Sequence, residues 1–215
     1  MQKLKNMKIL YKYSLIIASL FFLLSCDKDT EDVSRITEYA SFEMQGDNFM
    51  YILANSTFTE PGVKATESGV EIPVETKGTV NTAVPDVYAI QYSATNSDGF
   101  PASVLRRVAV VPAIPTTDLS GEYQLVHATR KNKITITRVD GFLGYYHATD
   151  SWWQTYAIAL DFVDMGDGTI KILPGSSPYG AHYGTGNILP DGQIQFVVTL
   201  PNQGNMTYST TYKLQ

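Results

Sequence analysis

The stretch GYYHATDSWWQTY, residues 144–156, concentrates more chemistry than any other part of this chain. Tyr145, Tyr146, Trp152, Trp153 and Tyr156 offer broad aromatic faces, with His147 and Asp150 standing among them as hydrogen-bonding groups. Aromatic rings pack against the C–H faces of sugars while Asp, Gln and His side chains bond the hydroxyls, so carbohydrate sites have this make-up. Asp150-Ser151 reads as a turn, which places Trp152 and Trp153 at or beside a loop. If a strand starts there, adjacent side chains point to opposite faces, and at most one indole reaches a core. The competing reading has both indoles plugging the end of a barrel or sandwich. A second group, Tyr179, His182 and Tyr183, lies in PGSSPYGAHYGTG (174–186), whose glycines predict a binding loop and not a regular strand throughout. The ligand-binding candidates are therefore Tyr145, Tyr146, His147, Asp150, Trp152, Trp153, Tyr179, His182 and Tyr183.

Catalytic signatures are missing from the sequence. His127, His147 and His182 have no cysteine partners and no H-E-x-x-H spacing, and Ser176 and Ser177 lack the G-x-S-x-G context. A glycosidase needs two facing carboxylates, and the acids here fall mostly in turns. Asp161, Asp164 and Asp167 are spaced for calcium only superficially, because DFVDMGDGT lacks the EF-hand order and its closing Glu; a solvated β-turn fits better. The expectation is a binding protein with no catalytic residue, metal or cofactor.

The elements that must position these residues are all β. After Cys26 no apolar pattern of period 3.6 is sustained, and short runs of period 2 dominate, with Gly and Pro between them. Phe49, Tyr51 and Leu53 alternate, as do Val70, Ile72 and Val74, then Tyr88, Ile90 and Tyr92, then Val108 and Val110 behind Arg106. Turns fall at Glu60-Pro61-Gly62 and Asn96–Gly99, which favours a β-sandwich over residues 38–113. VPAIPTTD supplies a linker (114–118), and a fresh pattern over 119–215 predicts an antiparallel sandwich or barrel-like domain. Its expected strands are 121–128, 132–139, 142–147, 155–162, 168–173, 192–200 and 206–214, with hairpin turns at Asp167-Gly168 and Asp191-Gly192.

The beginning of the chain carries an address. Lys3, Lys5, Lys8 and Lys12 precede the apolar run SLIIASLFFLL, too short for a membrane span and suited to a secretory signal peptide. Leu23-Leu24-Ser25-Cys26 resembles the bacterial lipobox. That resemblance implies a signal peptide over residues 1–25, cleavage after Ser25, and acylation of Cys26 on its thiol and its new amino group. Cys26 is the only cysteine, so it has no intramolecular disulfide partner. Removing residues 1–25 takes away four lysines and no acid, leaving 190 residues with a net charge of −9. An acidic chain without basic clusters excludes nucleic acid as a partner. Residues 26–37, rich in Asp and Glu, read as a solvated tether; in Bacteroidota-type lipoproteins such a stretch resembles a surface-export signal.

Both β domains resemble known families. Phe58-Thr-Glu-Pro-Gly62, the Tyr88/Tyr92 strand, the Asp98-Gly99 turn and Arg106-x-Val-x-Val110 together resemble the bacterial Ig-like domain named from a pesticidal crystal protein, with Asp86 where that family has glycine. The resemblance implies a spacer or adhesion module. Leu119-Ser-Gly-x-Tyr123, Gly144-Tyr-Tyr146 and the closing TYSTTYKL resemble the C-terminal β domain of Bacteroidota lipoproteins of unknown function. From this comes the expectation of an outer-membrane, surface-exposed lipoprotein, attached to the membrane through Cys26. Its partner would be a polysaccharide or an outer-membrane uptake complex; the alternatives are a structural or interaction subunit or spacer with no small ligand and, behind it, a glycoside hydrolase whose carboxylate pair only the fold would assemble.

Overall fold

The computed structural model describes residues 37–153 and 156–215; the leader and Cys26 lie outside the described residues. Seven strands form the first domain: β1 (Ser41–Met44), β2 (Phe49–Leu53), β3 (Val63–Glu67), β4 (Val70–Ile72), β5 (Glu75–Lys77), β6 (Asp86–Thr95) and β7 (Pro101–Val111). They make two sheets, β1-β3-β4 and β2-β7-β6-β5, with β2 running parallel to β7 and the other pairs antiparallel. Ile90, Tyr92 and Val108 fill the space between the sheets, with Phe42, Met44, Ile52 and Phe58 packed against them. Tyr92 thus shares a buried face with Ile90, as the period-2 pattern predicts.

One charge lies in that core. Arg106 is 0% exposed, and its guanidinium donates to the Gln45 carbonyl at 2.6 Å and pairs with Glu60 Oε1 at 3.0 Å. The same Glu60 oxygen accepts the Gly62 N–H at 3.0 Å, so the Glu-Pro-Gly turn is shaped around the ion it holds. Two landmarks far apart in sequence, the turn and the arginine before Val108, are one structural unit. Burial, with Glu60 alongside, raises the Tyr92 phenol above its ordinary range.

The second domain is a closed barrel of eight strands: β8 (Gly121–Leu125), β9 (Lys133–Arg138), β10 (Tyr145–Ala148), β11 (Leu160–Asp164), β12 (Thr169–Ser177), β13 (Gly180–Ile188), β14 (Ile194–Leu200) and β15 (Met206–Leu214). Each strand is antiparallel to the next, and β15 closes on β8 through Tyr212↔Leu125 and Leu214↔Tyr123. Barrels of this size have interiors just wide enough to be filled by side chains. Here Tyr123, Ile134, Ile136, Tyr146, Phe162, Ile172, Phe196, Val198 and Tyr212 fill it.

Two expectations fail in this domain. The glycine-rich stretch 174–186 is not a loop but most of the β12–β13 hairpin, turning over Pro178-Tyr179 with a bulge between Ile172 and Gly175. Its glycines mark close approach: a Cβ on Gly184 or Gly186 would run into the Val197 or Gln195 carbonyl oxygen. Of the strand expected over 155–162, residue 155 lies outside the described residues, and the strand begins only at Leu160.

The two domains pack together within one compact unit, Glu38–Gln215. Phe49 and Tyr51 of β2 and Ala109 and Val111 of β7 meet Tyr145, Val163, Met165 and Leu173 of the barrel wall. Phe49 stacks on Tyr145 with centroids 4.7 Å apart, and the Tyr51 hydroxyl donates to the Asp164 carbonyl. At the margin of this seam, Lys171 pairs with Asp86 at 2.8 Å.

Arg106→Met leaves the Glu60 carboxylate in a largely enclosed site without its counter-ion. The expected loss is about 3–5 kcal/mol. Adding Glu60→Gln is expected to restore much of it, as measured by urea unfolding of the single and double variants.

Candidate functional site

The nine residues singled out in the sequence fall into three places. Tyr145 and Tyr146 are corrections to that reading, because neither keeps a face for a ligand. Tyr145 is buried in the seam against Phe49. Tyr146 is 0% exposed inside the barrel, its hydroxyl accepting the Leu119 N–H at 3.0 Å and donating to the Thr117 carbonyl at 3.2 Å. Burial raises both phenols above their ordinary range. His147 and Tyr183 lie on the outer wall: His147 Nδ1 is 2.8 Å from Asp161 Oδ1, and Tyr183 is 47% exposed beside Thr199. The remaining four, Asp150, Trp152, Trp153 and Tyr179, meet at one end of the barrel, with His182 on the inner face below.

The β10–β11 connection crosses this mouth and is tied down by short polar side chains. Asp150 Oδ1 accepts the backbone N–H groups of Trp152 at 2.8 Å and Ile158 at 2.9 Å. Ser151, fully buried, donates to the Ile158 carbonyl and lies 2.8 Å from the Tyr208 hydroxyl, while Thr210 Oγ1 donates to the Ser151 carbonyl. These bonds hold the two tryptophans over the barrel interior. Their centroids are 4.5 Å apart, and Trp152 packs on Tyr208 at 4.2 Å. Both indoles are half-buried against the core, so both act as plugs. Neither reaches solvent fully, which fits the reading of two plugs and not that of one core and one exposed ring.

The exposed side of this plug forms a row. Tyr156, 60% exposed, lies 6.3 Å from Tyr179, and Tyr179 lies 6.4 Å from Trp152. Trp152 stacks on Trp153, and the Arg130 guanidinium sits 4.8 Å from the Trp153 ring centroid. Four aromatic rings and a cation are thus contiguous across the mouth. Among the described residues several buried polar atoms lack a hydrogen-bond partner, including Trp152 Nε1, Trp153 Nε1, His182 Nδ1 and the Tyr212 hydroxyl. Such groups are rare in native interiors. Burial holds the His182 imidazole below its ordinary range, with the Asp161 charge acting weakly the other way.

Away from the mouth, a cleft of about 340 Å³ lies along the seam, lined by Asp86, Met165, Asp167, Lys171, Thr185 and Asn187 among others. It contains no aromatic ring. Among the described residues no three His, Cys, Asp or Glu side chains gather as metal ligands. Asp161, Asp164 and Asp167 act separately: one pairs with His147, one accepts the Gly166 N–H, and one accepts the Thr169 N–H.

Sequence reasoning missed Ser151, Tyr208 and Arg130 as parts of the mouth. Tyr208 carried a readable signal, since Tyr208, Thr210 and Tyr212 alternate on the inward face of β15. Arg130 carried none, because its partner ring comes from a different hairpin.

The sandwich and the mouth can now be set beside known proteins. Residues 42–110 match the family model of the bacterial surface protein, Ig-like domain, so the Ig-like reading holds on the residues that carried it. A crystal structure of a lipoprotein from Bacteroides thetaiotaomicron aligns over 81% of this chain and 100% of its own, at 23% identity and a TM-score of 0.37. No curated protein matches the chain.

Asp150 supports a direct test of how the mouth is held. Burial raises its carboxyl above the ordinary aspartate range, against the opposing pull of the backbone N–H groups it accepts. The folded chain therefore holds more protons than the unfolded chain between the two pKa values, and stability falls as pH rises through that interval. Asp150→Asn keeps an acceptor without the charge and is expected to flatten this dependence, with an equal or higher unfolding midpoint at neutral pH. Asp150→Ala orphans both N–H groups and is expected to cost about 1–3 kcal/mol. Urea midpoints between about pH 4 and pH 8 check both, since an ordinary aspartate has titrated across that span.

Proposed function

We propose that this chain is a lipid-anchored envelope protein that binds a glycan, without cleaving it, at the mouth of its barrel. One observation supports the reading above others: the contiguous row Tyr156–Tyr179–Trp152–Trp153, capped by Arg130. A sugar chain laid along such a row meets aromatic faces at successive rings, which contribute by stacking and C–H contact. The Ig-like match over residues 42–110, to a family named for bacterial surface proteins, supports a surface location in which the sandwich acts as a spacer. Cys26 is the attachment atom in this reading, and the partner is a polysaccharide presented to an outer-membrane uptake system.

A second reading is favoured by one specific fact. The two indole N–H groups are sealed within the mouth, which suits a structural plug in an interaction subunit as well as a binding platform. The readings separate on residues that are not part of the plug. Tyr156 is exposed, so Tyr156→Ala leaves folding intact while removing the outermost ring. Affinity electrophoresis against a polysaccharide panel is expected to show retardation of the full chain, weakened about tenfold by Tyr156→Ala, which is the loss of one good stacking contact. No retardation by any polysaccharide, with the chain folded by circular dichroism, overturns the glycan reading in favour of the interaction subunit. For the anchor, Cys26→Ser is expected to move the protein from the membrane to the soluble fraction and to remove the mass of the acyl chains. A variant that still fractionates with membranes overturns lipidation at this residue.

A further inference from the structure

The net charge of the whole sequence is −5, yet the barrel gathers cations from the loop at its mouth down the outer wall beside it. The β8–β9 connection and the first residue of β9 supply Arg130, Lys131 and Lys133. From the far side of β8, β15 supplies Lys213. Strand register aligns them: Lys133 stands opposite Gln124, and Gln124 stands opposite Lys213, so the two lysines flank one glutamine across three adjacent strands. The expectation that the chain has no basic cluster fails here, because Lys213 lies far from the others in sequence and only barrel closure brings it in.

Among the described residues, ion pairs form at Arg106–Glu60, Arg138–Asp118 and Lys171–Asp86, and Arg130, Lys131, Lys133 and Lys213 take part in none. Like charges held close on a sheet repel one another, so an acidic chain has every electrostatic reason to intersperse acids there. One acid stands near, Glu122 on the same face of β8 as Gln124, and it forms no ion pair with the four cations among the described residues. A groove of about 210 Å³ runs through it, lined by Gln124, Val126, His127, Lys131 and Lys213 among others. The loop above the groove is held in shape by His127, whose Nδ1 accepts the N–H groups of Thr129 and Arg130 at 3.2 Å each. Nε2 of that ring therefore carries the proton and is a further donor.

We infer that the ligand of the mouth is an anionic glycan, a chain carrying carboxylate or sulfate groups, whose sugar rings lie on the aromatic row and whose charges are met by Arg130, Lys131 and Lys213. This rests on the glycan reading above and narrows it to a chemical class. Two observations join at Arg130. Its guanidinium closes the aromatic row over Trp153, and the next residue, Lys131, lines the cationic groove. A guanidinium on a ring face with ammonium groups beside it suits alternation of sugar face and acid group along one polymer. A purely acidic peptide would use the cations and leave the row of rings idle.

The test is affinity electrophoresis of the full, detergent-solubilised chain in gels containing polygalacturonate, its fully methyl-esterified neutral form, neutral mannan or polyglutamate. The expected result is retardation by polygalacturonate, weakened about tenfold or more by esterification and again by raising salt from about 0.05 to about 0.5 M, which collapses the screening length. Lys131→Gln/Lys213→Gln is expected to weaken it likewise; both lysines are exposed, and circular dichroism verifies the fold. Retardation by neutral polysaccharide alone, or equally by the acidic and esterified forms, overturns the anionic class while leaving a glycan-binding mouth. Retardation by polyglutamate without polygalacturonate overturns it in favour of an acidic peptide. Full retardation of the lysine double variant overturns the assignment of the groove. No retardation by any polymer overturns this inference together with the glycan reading beneath it.

Discussion

The architecture hinges on a strand pair that is buried on both faces. Val108 of β7 points into the sandwich core, while Ala109 and Val111 point into the seam against the barrel. β2 does the same with Ile52 on one side and Phe49 on the other. A sheet face that meets a second domain cannot be polar, so the usual alternation of inside and outside gives way to the continuous run VAVV at the end of β7. Because the same two strands serve two cores, the sandwich cannot be repacked without disturbing the wall of the barrel. Arg106 marks where the doubly buried run begins, and its guanidinium is admitted only because Glu60 and the Gln45 carbonyl surround it.

The barrel solves a different problem. Closing eight antiparallel strands removes every free sheet edge, and large side chains then fill the interior. What remains is how to finish the ends. At one end the chain uses a crossing loop that lays two indoles over Tyr208, leaving N–H groups enclosed and rings partly bare. An end closed by rings that are half in the core and half in water is both a plug and a platform. The competing readings of Trp152 and Trp153 were therefore never exclusive.

Much of the fold was legible because strand periodicity is a local property. Tyr88, Ile90 and Tyr92, or Ile194, Phe196 and Val198, announce one buried face each without reference to anything distant. The site was less legible, for two physical reasons. Tyr145 and Tyr146 look like ligand-facing aromatics until their neighbours are known; one is claimed by a seam between domains and the other by the barrel core. Gly184 and Gly186 look like loop residues, but they are strand residues in a wall where neighbouring backbones come too close for a Cβ. In each case the deciding contact lies on another strand, where no local pattern reports it.

Seven of the eight barrel pairings join strands that follow one another in the chain, and hairpins of that kind form early and cheaply in entropy. The pairing of β15 with β8 is the exception, bringing Tyr212 to Leu125 across most of the domain. That ladder spans the longest sequence separation in the barrel, since it joins the first barrel strand to the last, and it carries the largest loop-closure cost. Without it, Tyr212 lacks Leu125 beside it and Lys213 is apart from Lys133. The cationic flank of the barrel therefore depends on this ring-closing ladder. It comes into being as a whole when the ring of strands shuts.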